Sequence, residues 1–124
     1  MRSPEHYEQV ALFKLAALHA KRYPELALLY AIPNAARRSP RQGAWMKAEG
    51  LKAGVPDVHL PIASCGYNGL WIELKVGKNR PTEAQKQWHD ALRAMGHKVC
   101  VCYSAQAAWD EITGYLDAKA GRAA

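Results

Sequence analysis

The stretch Val55–Val76, VPDVHLPIASCGYNGLWIELKV, holds two apolar runs that read as strands, and each carries charge where a buried strand should carry none. Asp57 opens the first run; Glu73 and Lys75 lie inside the second. Side chains alternate between the two faces of a strand. Leu70, Ile72, Leu74 and Val76 therefore share one face, and Trp71, Glu73 and Lys75 the other. In the first run Val58, Leu60 and Ile62 form the apolar face, leaving Asp57 and His59 opposite. An antiparallel hairpin symmetric about Gly66 sets Asp57 against Lys75 and His59 against Glu73, all four on one side. A slip of one residue would turn an apolar face outward. The charges thus converge at one end of a hairpin, away from the apolar layer.

Outward from this hairpin the chain reads as one mixed α/β domain over residues 1–118, with 119–124 as a frayed tail. Strands are expected over 57–62 and 69–76, with Asn68-Gly69 as the turn signal in the ASCGYNG connection. Upstream, Ser3 caps a first helix, Pro4 suits its first turn, Glu5 suits its positive end, and Pro24 ends it. Its apolar stripe is Leu12, Leu15, Ala16 and His19. The run Leu26–Ile32 ends in a strand, a basic loop follows to Gly43, and a helix covers roughly 41–51. Downstream, Thr82 and Gln85 form a capping box for a helix that ends at Gly96, with Ala84, Trp88, Ala91, Leu92 and Met95 facing inward. A strand over 98–103 leads to a last helix capped by Ser104, with Ala105, Trp109, Ile112 and Leu116 inward.

Composition narrows the function. The chain has 124 residues and is 49% hydrophobic, enough for one core and too much for a disordered chain. No apolar run approaches the roughly 18 residues of a membrane span, so a cytoplasmic protein without membrane contact is expected. The formal charge of +6 favours a polyanionic partner. Between Arg37 and Lys52 there are five basic residues (Arg37, Arg38, Arg41, Lys47, Lys52) against one acid, Glu49. The three cysteines, Cys65, Cys100 and Cys102, lack zinc-ligand spacing and read as reduced thiols.

Two carboxylates held close repel, and a divalent cation relieves that repulsion. Hard oxygen ligands of this kind suit Mg²⁺ or Mn²⁺. A neighbouring lysine can orient a water or stabilise charge developing on a phosphate. The bland reading of the same residues is a surface ion pair between Asp57 and Lys75.

Pro56-Asp57 followed by Glu73-Leu74-Lys75 resembles the PD-(D/E)xK nuclease signature. More closely, the chain resembles the virus-type replication-repair nuclease (VRR-NUC) family. The matching pieces are EHYEQ (5–9), IPN (32–34), GLKAGVPD (50–57), LWIELK (70–75) and TEAQ (82–85) before Trp88. The resemblance implies a restriction-endonuclease-like fold with a central mixed sheet flanked by helices. It implies hydrolysis of DNA phosphodiesters with Mg²⁺ or Mn²⁺. Asp57 and Glu73 would hold the metal, with the Leu74 carbonyl and a first-helix acid, Glu5, or its rival Glu8. Lys75 would be the catalytic lysine, and Gln85 the helix glutamine near the site. Asn34 would join Arg37, Arg38, Arg41, Lys47 and Lys52 on DNA. Stand-alone relatives of the phage type suggest a homodimer acting on four-way junctions. The alternatives are a non-catalytic DNA-binding module on the same fold and a resolvase of the archaeal type.

Overall fold

The computed structural model describes residues 3–33 and 39–120. Asn34, Arg37 and Arg38, and the tail from 121 to 124, lie outside the described residues. Among these residues four α-helices, α1 (Pro4–Leu18), α2 (Pro40–Ala48), α3 (Glu83–Ala94) and α4 (Ala105–Ala120), accompany four strands, β1 (Tyr30–Ala31), β2 (Val58–Leu60), β3 (Leu70–Leu74) and β4 (Lys98–Cys102). The strands form one sheet in the order β1-β2-β3-β4. The first two pairings are antiparallel and β3 with β4 is parallel.

Alternation along β3 gives the sheet two different faces. Leu70, Ile72 and Leu74 lie in one core with Leu12 and Ala16 of α1 and with Ala108, Ile112 and Leu116 of α4. Trp71 and Glu73 lie on the other face, where Glu73 meets Gln85 and His89 of α3. Ser3 caps α1 by accepting from the His6 amide, and Thr82 and Gln85 close the expected capping box of α3. No helix among the described residues is long and apolar enough to cross a membrane.

Several expectations are corrected. The hairpin is not symmetric about Gly66: Val58 pairs with Ile72, His59 with Trp71 and Leu60 with Leu70, two residues away from the expected register. The reversal is a tight turn at Cys65-Gly66, both at positive φ (55° and 80°), closed by the Tyr67 amide donating to the Ser64 carbonyl at 2.8 Å. Asn68-Gly69 is not the turn. The Asn68 side chain instead donates to the Met95 carbonyl, fastening the hairpin to the end of α3. A shift of two keeps every side chain on its face, so the buried pattern alone could not detect it.

Helix α1 stops at Leu18, well before Pro24, because Pro24–Leu28 starts a separate 3-10 turn. Helix α3 is rotated from the expected stripe. His89 is its buried residue, Trp88 and Leu92 are half-buried, Ala84 and Ala91 are exposed, and Met95 is 68% exposed. The tail was expected to fray over 119–124, yet α4 continues to Ala120, and within it Asp117 accepts from the Tyr23 hydroxyl at 2.9 Å.

Candidate active site

Strands β3 and β4 are parallel, so their C-terminal ends lie side by side, and antiparallel β2 begins at that same end. Open α/β sheets commonly bind ligands at the carboxyl ends of their strands. Asp57, Glu73 and Lys75 gather here. Asp57 sits just before β2, and one of its oxygens accepts from the Leu74 amide at 2.8 Å, continuing the β2–β3 pairing through a side chain. By the observed register Asp57 stands opposite Glu73, not Lys75. Glu73 is 1% exposed and Lys75 8%. The Lys75 ammonium lies 4.0 Å from the Glu73 carboxylate, and among the described residues no ion pair joins Asp57 to Lys75.

The approach to Asp57 has one steric requirement. Gly54 (φ +95°) passes so close to α3 that a Cβ would meet the Ala84 carbonyl at 2.8 Å and the Trp88 ring at 3.0 Å. Only glycine lets the chain cross the start of α3 and deliver Asp57 to the sheet.

Helix α3 closes the site from the other side. Gln85 has two roles at once. Its carbonyl oxygen accepts from the Thr82 amide at 2.8 Å in the capping box, and its amide nitrogen donates to Glu73 at 3.3 Å. His89, one turn on, brings a ring nitrogen to 3.5 Å from the other Glu73 oxygen. Sequence reading missed His89. The signal was its spacing of four from Gln85, which puts both on one helical face. Of the four buried polar or charged side chains among the described residues, Glu73, Lys75 and His89 meet here, and the fourth, Ser64, bonds the Tyr115 carbonyl elsewhere.

Electrostatics follow from this crowding. Burial, then the Asp57 carboxylate beside it, pushes Glu73 well above the usual carboxylate range, and Glu5 adds in the same sense. Burial holds His89 below its ordinary value. Both shifts disfavour the charged forms of the two groups that meet here. Of the two candidate acids on α1, Glu8 accepts from the Ala105 amide at 2.8 Å and is occupied in capping α4. Glu5 stands within electrostatic reach of Glu73.

The donor set fits a hard divalent cation. It is built of oxygen, and the Asp57 carboxylate beside Glu73 disfavours ionisation of Glu73, a repulsion that a cation relieves. Among the described residues no three His, Cys, Asp or Glu side chains converge as a ready ligand set. Two carboxylates completed by backbone carbonyl and water are, however, a common arrangement for Mg²⁺. Of the DNA-contact candidates, Arg41 and Lys47 lie exposed on α2 and Lys52 on the segment leading to Gly54.

A mixed sheet between helices, with paired acids and a lysine at its carboxyl end, is the restriction-endonuclease-like α/β fold. The chain belongs to the VRR-NUC domain family, whose model matches residues 5–106. A solved structure described as a VRR_NUC domain protein superposes with a TM-score of 0.71 at 24% identity, over 95% of this chain and 93% of that one. At that identity the likeness bears on the fold alone. No curated protein matches the chain. Family membership makes this a nuclease-type domain that acts on DNA.

Proposed function

We propose that the protein is an endonuclease that hydrolyses DNA phosphodiester bonds with Mg²⁺ or Mn²⁺, acting on branched DNA such as four-way junctions as a homodimer. The observation that carries the hydrolytic reading is the convergence of half-buried Asp57 with buried Glu73 and Lys75 at the carboxyl end of the sheet. The preference for branched DNA and the dimer rest on the resemblance to stand-alone VRR-NUC domains.

Asp57 and Glu73, with the Leu74 carbonyl, would hold the cation, and Glu5 would complete the site. The cation would supply charge neutralisation at the phosphate and lower the cost of ionising water. The protein's own groups do the rest. Gln85 and His89 fix both oxygens of Glu73, so its orientation does not depend on the ion. The Lys75 ammonium, fixed on the same strand, offsets negative charge that grows on the phosphate as water attacks phosphorus and the leaving oxygen departs. Burial excludes competing water and strengthens that interaction.

The test incubates the protein and its Lys75→Ala variant with Mg²⁺ or Mn²⁺ and linear, flap, fork and four-way DNAs. The parent should cut, fastest on the four-way DNA, and Lys75→Ala should lose about 10²–10³-fold in rate while binding DNA within a few-fold of the parent. A parent that binds DNA and never cuts it would leave the non-catalytic DNA-binding module as the reading.

A further inference from the structure

The connection from β3 to α3, residues 75–82, carries two cations that the nuclease site does not use. Lys78 and Arg80 follow Lys75 by three and five residues, and both are exposed. With Gly77 and Tyr103 they line an open basin of about 480 Å³. The basin has a defined frame. Lys75 donates its backbone amide to the Cys102 carbonyl at 2.9 Å, which sets the end of β3 beside the end of β4. Tyr103 follows directly and donates its hydroxyl to the Asn79 carbonyl at 3.0 Å, holding the loop down. Gly77 turns the chain at φ +59°, and the Asn79 amide donates to the Val76 carbonyl at 3.2 Å.

Among the described residues no acid answers these charges. Among the described residues the ion pairs involve Lys75, Lys86, His89, Arg93 and Lys98, and neither Lys78 nor Arg80. Glu83, the carboxylate closest in sequence, is directed to Lys86 at 4.0 Å. Two unpaired cations in a concave, tyrosine-lined basin on the loop that leaves Lys75 suit a phosphodiester anion. A polynucleotide lying over Asp57 and Glu73 must carry further phosphates to either side of the one being attacked.

We propose that Lys78 and Arg80 bind a backbone phosphate of the DNA strand adjacent to the scissile one, with Tyr103 holding the loop that presents them. The assignment rests on the nuclease reading and extends it to how the strand is seated. Lys75 then meets the reacting phosphate, and the β3–α3 loop meets its neighbour.

The experiment measures DNA binding in EDTA, where no cleavage occurs, across a series of salt concentrations. The proteins are the parent, Lys78→Ala/Arg80→Ala, Tyr103→Phe, and Lys21→Ala/Arg22→Ala as a control of equal charge change beyond the far end of α1. Leaving one duplex phosphate without its cation should lower the slope of log affinity against log salt by about 0.9. That drop, with roughly tenfold weaker binding at low salt, is expected for the Lys78/Arg80 double variant. Tyr103→Phe should lose a smaller part of the affinity, and the control should keep the parent slope. An unchanged slope in the Lys78/Arg80 variant overturns the proposal, and so does an equal fall in the control. If thermal melting shows the double variant unfolded, Lys78→Gln/Arg80→Gln takes its place under the same criteria. A parent that cuts DNA while the variant keeps its slope refutes only this phosphate interaction; a parent that neither binds nor cuts DNA refutes the nuclease reading and this interaction with it.

Discussion

At the scale of single residues, Glu73 carries the tension in this molecule. It is a carboxyl group buried beside another carboxyl group, and its ionised form is disfavoured even with the Lys75 ammonium 4.0 Å away. A group whose pKa rises on folding stabilises the native state only while protonated. That stability is fully present below the ordinary glutamate value of about 4.3 and is lost as pH rises through the folded-state value. Glu73→Gln keeps the shape and removes the ionisation. The metal-free variant should therefore be more stable than the parent at pH 8, and the gap should close toward pH 4. Denaturant melts at the two pH values check this, and a parent that is the more stable at pH 8 would refute it. Mg²⁺ or Mn²⁺ should act in the opposite sense. An ion that binds only the folded parent adds about 2.7 kcal/mol at a hundredfold excess over its Kd, and adds nothing to a variant that cannot hold it. Cleavage by Glu73→Gln should be abolished.

At the scale of elements, the β2–β3 hairpin and the packing of α1 on α4 make separate predictions. Cys65 sits at φ 55°, in the left-handed region, followed by Gly66 at φ 80°. This is the backbone of a type I′ turn, in which Asn-Gly is strongly favoured. Cys65 is exposed and far from the site. Cys65→Asn should raise stability by about 0.5–1 kcal/mol and leave activity unchanged, as read by melting and cleavage together. Glu8 answers a different need, since the first amides of α4 have no partner within their own helix. Its carboxylate accepts from Ala105, and the Ser104 hydroxyl accepts from Ala107. Glu8→Ala should cost about 1 kcal/mol of stability, as removal of a helix cap does, while the variant still cuts DNA once folded. Loss of cleavage in a stably folded Glu8→Ala would return Glu8 to the metal site in place of Glu5.

At the scale of the whole molecule, the charge of +6 is distributed rather than focused on one element. Arg41, Lys47 and Lys52 precede Asp57 in the chain, and Lys78 and Arg80 follow Lys75, so cations occur in sequence on both sides of the acids. Replacing Arg41, Lys47 and Lys52 together by alanine should weaken binding to every DNA tested and lower the salt slope by about 1 for each phosphate no longer neutralised. An unchanged slope would make them solvated surface charges. Asp57→Asn should leave that slope intact, because the acid is proposed to act on the metal and not on the DNA backbone.

The sequence by itself determined the faces of β3, the caps of α1 and α3, the inward residues of α4 and the meeting of Asp57, Glu73 and Lys75. Each follows from a local rule: alternation along a strand, hydrogen bonding at a helix start, or periodicity along a helix. The tertiary structure decided what local rules leave degenerate. A two-residue change of register preserves every face, so only the packed hairpin, with its turn at Cys65-Gly66, could set Asp57 opposite Glu73 and His59 against Trp71, with rings stacked at 3.7 Å. Helix α3 reads as amphipathic on its apolar stripe, yet it turns Gln85 and His89 toward the sheet, because the surface it covers holds a buried acid that needs donors. Glu5 and Glu8 are chemically alike and three residues apart in one helix. Only the arrival of the α4 N-terminus beside one of them tells them apart, and that hydrogen bond joins residues 97 positions distant in the chain.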